Sequence, residues 1–258
     1  MKIKVLTLFP EMFTGFKNNS IIKRAILQNY VSFETVDIRS FSTDKHQRVD
    51  SPPIGGGAGL IMKTQPIVDA LTASKEKGSH VILLSTRGKI FNQKKAKKLA
   101  SKKNLIFICG HYEGIDERIL HYVDEMISLG DYVLTGGELG AMVISDAIIR
   151  LQEGVITPSS LIEESFVSDL LEYPQYTEPY NYDGYEVPDI LYSGNHQAIE
   201  MWRRKQALLI TKTHRPDLFK KLKLSKEDLL LLKELENEKM PAWEKKALEK
   251  GHKFIKKK

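Results

Sequence analysis

Two glycine-bearing turns, each at the end of an apolar strand pattern, constrain this chain more than any other feature. The first, Ile108-Cys-Gly-His-Tyr-Glu-Gly-Ile-Asp-Glu-Arg118, follows the apolar run 105–109 and sets charged and polar side chains among its glycines. The second, Leu129-Gly-Asp-Tyr-Val-Leu-Thr-Gly-Gly-Glu-Leu-Gly-Ala-Met142, holds Gly130, Gly136, Gly137 and Gly140 and leads into an apolar helix. Glycine lets main chain come close to a ligand and adopt positive φ at little steric cost. Two such turns at strand ends point to a ligand held mainly by backbone groups. A third run, Gly55-Gly-Gly-Ala-Gly59, lies in the same half of the chain. No G-x-G-x-x-G follows a strand, which excludes the dinucleotide fingerprint. The run at 55–59 also lacks the Gly-Lys-Ser/Thr that completes a P-loop.

Around these turns, strand and helix patterns alternate. Residues 3–8 and 31–38 read as strands, with Ser20 as the cap of a helix over 21–28 between them. A polar loop carries Asp50, Pro52, Pro53 and the 55–59 run. A helix over 65–77, a strand at 81–84, a lysine-rich helix from Asn92 and strands at 105–109 and 125–128 follow, then a helix over 137–151. This order predicts an α/β fold, a mostly parallel sheet covered by helices. Residues 152–193 lose periodicity and are rich in proline and tyrosine. From residue 195 the pattern is helical to the end. The expected organisation is an α/β domain over 1–160, a connection over 161–193 and a small all-helical C-terminal domain over 194–258.

At 258 residues and 41% hydrophobic composition, the chain can bury a full core. Its one cysteine, Cys109, excludes a disulfide framework and a cysteine-rich metal site, and reads as a small buried apolar residue. No apolar run is long enough to span a membrane and no signal-peptide pattern opens the chain, so a cytoplasmic protein is expected. The net charge of +6 is unevenly spread: residues 151–202 hold ten acids and no Lys or Arg. Lys94, Lys95, Lys97, Lys98, Lys102 and Lys103 cluster on a predicted helix, either a solvated face or a footprint for nucleic acid.

Among the charged groups of the turns, Asp116, Glu117, Arg118, Asp131 and Glu138 read first as caps and turn partners. Glu113 differs, because Gly110 and Gly114 flank it and leave its carboxylate free to face a ligand. His111 is a hydrogen-bond partner or a general base. Arg150 ends the apolar helix, where it suits the helix dipole or reaches a cleft as an oxyanion stabiliser. Glu163 and Glu164 precede Ser165 and Phe166, a solvated pair or a catalytic one.

Taken together, the motifs resemble the bacterial tRNA (guanine-N1)-methyltransferases, the TrmD family of the SPOUT class, almost end to end. The likeness runs through Leu8-Phe-Pro-Glu-Met-Phe13, Val49-Asp50, Gly55-Gly-Gly-Ala-Gly59, Cys109-Gly110, Tyr112-Glu-Gly-Ile-Asp-Glu-Arg118, Gly130-Asp-Tyr-Val-Leu134 and Gly136-Gly-Glu-Leu139. It continues through Glu186-Val-Pro188, Ser193-Gly-Asn-His196 and Trp202-Arg203. The resemblance implies methyl transfer from S-adenosylmethionine to N1 of guanosine 37 of tRNA, beside the anticodon. It also implies a homodimer with the site between subunits, and a trefoil knot that holds the cofactor bent.

By the same likeness, the cofactor pocket comprises Leu84, Ser85, Gly110, Tyr112, Glu113, Leu129, Gly130, Tyr132, Leu134, Gly136 and Gly137. The RNA meets Asp50, Gly55, Gly56, Gly57, Gly59 and Glu113, and, in the helical domain, Ser193, Asn195, His196 and Arg203. Arg150 matches the family's catalytic arginine. Glu164 stands where the family has a catalytic aspartate, with Glu163 as its substitute. His111 replaces the usual arginine, and Thr86 and Gly140 replace prolines. Mg²⁺ dependence is not readable from these residues. Three rivals remain: a related enzyme acting on another RNA, an RNA-binding relative without catalysis, and a small-molecule enzyme, which would lack salt-dependent RNA affinity.

Overall fold

Alternation along the first strand dictates how it is placed. Ile3 and Val5 are fully buried while Lys2 is exposed and Lys4 only half-buried, so the strand has one committed face and a wet start. The structure, a computed structural model, describes residues 1–157, 165–166, 169–235 and 240–251. The chain divides into two compact units, Met1–Thr157 and Pro158–Lys258.

In the first unit, β1 (Lys2–Thr7), α1 (Ser20–Leu27), β2 (Ser32–Asp37), β3 (Asp50–Ser51), β4 (Ile61–Met62) and α2 (Thr64–Ser74) come first. Then follow β5 (Ser79–Ile90), α3 (Gln93–Ala100), β6 (Asn104–Ile108), β7 (Glu125–Ser128) and α4 (Glu138–Ile149). Five strands form a parallel sheet in the order β2-β1-β6-β5-β7, as the alternation of strands and helices predicts. β6 is central, and four of its five residues are buried. The two faces carry separate cores. Ile3, Val5, Ile82 and Phe107 pack with Ala25, Leu99 and Ile144, whereas Leu6, Val81, Leu83 and Ile106 pack with Ile67, Ala70 and Leu71. Each such aliphatic or aromatic side chain contributes roughly 1.5–3 kcal/mol by leaving water.

Ser20 does not cap α1. The capping position falls one residue earlier, at Asn19, whose amide instead donates to the Gly15 carbonyl at 2.8 Å. Asn92, in contrast, caps α3 as expected, its side chain accepting from the Lys95 N–H at 2.9 Å.

β5 extends well past the expected 81–84. Leu84 and Lys89 both have Ile127 of β7 as register partner, with the chain between them out of register. A strand residue bridges one partner on each edge, so the chain passes from one edge of β7 to the other. Gly88 marks the crossing: a Cβ there would lie 2.5 Å from the backbone N and C of Ile127, so no side chain fits.

The second unit holds β8 (Asn181–Tyr182), β9 (Tyr185–Glu186), α5 (His196–His214), α6 (Pro216–Phe219), α7 (Lys226–Leu235) and α8 (Ala242–Gly251). Its helices enclose Leu208, Leu231 and Leu170, with a second cluster around Trp202. Asn195 caps α5, accepting from the Ala198 N–H at 3.2 Å. The two-stranded hairpin is a departure from the patternless connection expected there. Its turn places Asp183 at φ 52 and Gly184 at φ 86, the geometry that two-residue hairpins prefer.

Candidate active site

Residues 85–88, where β5 loses register with β7, and the loops 109–117 and 129–137 that follow β6 and β7 lie at the carboxyl side of the sheet. Ligands of open parallel sheets bind in this crevice. Two cavities meet there, of about 90 and 430 Å³. Leu84, Ser85, Leu134 and Gly137 line both; Leu129, Gly130 and Tyr132 line the smaller, and Gly110, Tyr112, Glu113 and Gly136 the larger. All eleven residues expected around the cofactor therefore line these two adjoining cavities. Thr86 and Gly140, the positions that depart from the family pattern, also line it.

The two glycine turns are stitched to each other. The Gly137 N–H donates to the Gly110 carbonyl at 3.0 Å, and His111 and Gly136 form an isolated antiparallel bridge. Gly137 lies against the main chain of the other turn: a Cβ would stand 2.7 Å from the Cys109 Cα. Cys109 itself is fully buried, and burial together with the Glu138 carboxylate pushes its thiol well above the ordinary range. That makes it packing rather than a nucleophile. Tyr112 takes φ 60, left-handed backbone that a bulky residue seldom adopts. Strain of that kind concentrates at ligand sites.

Behind the turns lies a polar network that sequence reasoning missed. Glu138, only 1% exposed, accepts the Thr7 hydroxyl at 2.7 Å on Oε1. Its Oε2 faces His111 Nε2 at 3.2 Å. Thr7 in turn accepts the Phe9 N–H at 2.9 Å, and the Phe9 ring lies 4.7 Å from the His111 ring. A Cβ on Gly136 would collide with the His111 ring and with Glu138. The available signal was Thr7, a polar residue in phase with the inward Ile3 and Val5.

On the outer side, the loop carrying Gly55, Gly56, Gly57 and Gly59 reaches the Glu113 turn. The Glu113 N–H donates to Leu60 O at 3.1 Å, and Gly59 packs on the Glu113 side chain. β3 and β4 pair antiparallel, Asp50 opposite Met62, and the Met62 N–H donates to Gly114 O at 3.0 Å. A third cavity, about 680 Å³, lies beside this junction, lined by residues 51–54, 61–65 and 115–118. Arg87, from the crossing segment, is bidentate to Glu117 at 3.0 Å, and the guanidinium holds that carboxyl below its usual range.

Arg150 closes α4, its N–H bonded to Asp146 O at 3.1 Å. The helical rise of 1.5 Å per residue puts it about 20 Å from Gly137, which opens the same helix. The structure thus does not bring Arg150 to the pocket of its own chain. Glu163 and Glu164 lie outside the described residues. In the second unit, Ser193 and Asn195 use their side chains for local capping, Ser193 Oγ accepting the Asn195 N–H at 3.2 Å. His196 and Arg203 line a cavity of about 360 Å³ with Tyr173 and Tyr176, the guanidinium 4.7 Å above the Tyr173 ring. Among the described residues, no three His, Cys, Asp or Glu side chains converge to hold a metal ion, and no helix is long and apolar enough to cross a membrane.

A parallel sheet whose carboxyl edge holds a pocket walled by glycine turns defines an α/β protein with a candidate ligand site built largely from main chain. Comparison with known proteins makes the class specific. A family model described as tRNA (Guanine-1)-methyltransferase TrmD matches residues 1–221, and the chain belongs to this family of methyltransferases. A relative from Clostridium perfringens is 55% identical over 235 residues, 90% of this chain and 99% of its own. Another, from Clostridium botulinum, is 55% identical over 236 residues, 91% and 98% respectively. Both carry the name tRNA (guanine-N(1)-)-methyltransferase.

Proposed function

We propose that this protein transfers a methyl group from S-adenosylmethionine to N1 of guanosine 37 in tRNA. The observation that carries the reading is the convergence of eleven residues on two adjoining glycine-walled cavities at the sheet's carboxyl side, in a chain of this family. The pocket suits the cofactor chemically: an apolar wall of Leu84, Leu129 and Leu134 faces main-chain groups at Gly110 and residues 136–137. When bound, the cofactor supplies an electrophilic methyl on a sulfonium. Guanine N1 carries a proton, so a base must remove it as the N–C bond forms. Glu164, with Glu163 beside it, takes that role by the family likeness. Arg150 stabilises the negative charge that grows towards O6. Glu113 and the 55–59 loop hold the base, and the helical second unit holds RNA through His196 and Arg203.

We propose a homodimer as well. Arg150 is about 15 Å along α4 from Gly140, the last residue of that helix to line the pocket, and in this reading a second copy supplies it. α4 also presents Leu139 and Val143, one helical turn apart, at 48% and 52% exposure, the kind of face that a partner covers. The double pairing of β5 around β7 supports a knotted path for the cofactor loops.

The test is methyl transfer from labelled S-adenosylmethionine to two tRNA transcripts, with guanosine or adenosine at position 37. Label on the first alone, recovered as N1-methylguanosine, is expected. No transfer to either transcript despite cofactor binding would leave an RNA binder or an enzyme for another RNA.

A further inference from the structure

Several basic side chains of the first unit are ion-paired, and the unpaired ones are scattered except for one cluster. Lys2 and Lys4 pair with Glu76, Arg48 with Asp44, Arg87 with Glu117, Lys95 with Glu125, and Arg118 with Asp116. Lys94, Lys97, Lys98, Lys102 and Lys103 make no ion pair among the described residues, and all but Lys102 are exposed. They share one helix, α3, and the turn that follows it.

Their spacing is costly. Within α3, Lys94 and Lys98 stand four residues apart, and Lys94 and Lys97 three apart. Like charges at these helical separations oppose each other. α3 has only eight residues and no acid within it to offset them. Helix-dipole complementarity accounts for Lys97 and Lys98 in the last turn, but not for Lys94 or for Lys102 and Lys103 beyond the end. Ala96 and Leu99 supply the buried face, so lysine elsewhere is not forced by packing.

The row also has a direction. α3 starts just after Ile90, beside the end of β7 where the pocket opens, and ends just before Asn104, the amino end of β6. From Lys94 to Lys98 the lysines step away from the pocket by about 6 Å along α3, and Lys102 and Lys103 follow in the turn beyond it. An unpaired row of cations leading away from a site fits a linear polyanion.

We infer that the α3 lysine row is a contact surface for the RNA sugar-phosphate backbone outside the pocket. This rests on the RNA substrate of the proposed function and extends it to a surface that positions without reading bases. Such contacts act through counterion release, so each lysine removed lowers the salt slope of binding by about 1.

The triple variant K94Q/K98Q/K102Q tests it, with affinity for the guanosine-37 and adenosine-37 transcripts measured over a salt series. The expected result is a loss of at least about tenfold at low salt, by the same factor on both transcripts, with a salt slope lower by about 3. Affinity for S-adenosylmethionine and the thermal midpoint stay as in wild type. A loss below twofold, or a loss confined to the guanosine-37 transcript, overturns the inference. Wild-type protein that binds neither transcript overturns the functional reading, and this inference with it.

Discussion

Glu138 is a buried carboxylate whose Oε1 accepts the Thr7 hydroxyl and whose Oε2 lies 3.2 Å from His111 Nε2. The three residues come from the end of β1, the first glycine turn and the start of α4, so one group ties together the segments that shape the pocket. Leucine at 111 would leave Oε2 without its partner, at a cost of about 1–3 kcal/mol for an unsatisfied buried acceptor. That cost falls on the conformation of residues 134–137, because Gly136 is packed against the His111–Glu138 pair. We therefore expect His111→Leu to weaken S-adenosylmethionine binding by about tenfold or more, since 1.4 kcal/mol is a factor of ten. Calorimetric titration measures this, and His111→Gln, which can still donate to Glu138, should recover most of the affinity. An unchanged dissociation constant for His111→Leu would show the pair to be packing alone. At this scale the sequence was legible wherever a residue's type stated its use. The glycines, Glu113 and the apolar pocket wall could be picked out because glycine amid strand ends has few structural reasons. Thr7 and Glu138 could not, because their partnership spans 131 positions and exists only once β1 and α4 meet.

The elements show the same division between local and non-local information. α3 was legible to its cap, since Asn92 followed by Ala96 and Leu99 at helical spacing is a local statement. The hairpin at Asn181–Tyr182 and Tyr185–Glu186 was passed over because strands of two residues have no alternation to detect, although Asp183-Gly184 is a strong turn signal. The passage of β5 around β7 leaves only Gly88 as a trace, because chain path is not a periodic property. α7 offers an element whose stability can be tested by pH. Ser225 and Asp228 bond each other's N–H groups at 3.0 Å, a reciprocal cap, and Arg204 grips Asp228 at 2.8 and 3.0 Å. The guanidinium, against the opposing effect of burial, holds the Asp228 carboxyl below its ordinary range. A group with a depressed folded pKa adds stability above its unfolded pKa and loses it as pH falls through the folded value. Asp228→Ala should accordingly cost about 1.5–3 kcal/mol at neutral pH, the worth of hydrogen bonds to a charged group. The difference from wild type should hold down to about pH 5 and shrink below about pH 4. Urea unfolding over that range measures it, and a difference independent of pH would mean that the carboxylate charge is not what holds the cap.

At the scale of the whole molecule, α4 separates two groups that the proposed reaction needs together. Its first turn belongs to the pocket through Gly140, while Arg150 ends it about 15 Å further on. Motif reading could identify both groups but not this separation, which follows from helix length once the helix is known to be continuous. If the partner's Arg150 completes each site, a dimer has two sites, and each draws Glu113 from one subunit and arginine from the other. Glu113→Ala and Arg150→Ala homodimers should then each lose at least about 100-fold in turnover, having lost a substrate contact or the charge stabiliser at every site. Mixed after dissociation, or co-expressed with different tags, the two variants behave differently. Random pairing makes about half the dimers heterodimers, and in these one site carries both defects and the other neither. About one quarter of wild-type turnover should return, and about half in the purified heterodimer. Were Arg150 to act within its own subunit, each heterodimer site would carry one defect, and mixing would restore nothing. Turnover of the doubly tagged dimer therefore decides between one catalytic unit per chain and one built across the pair.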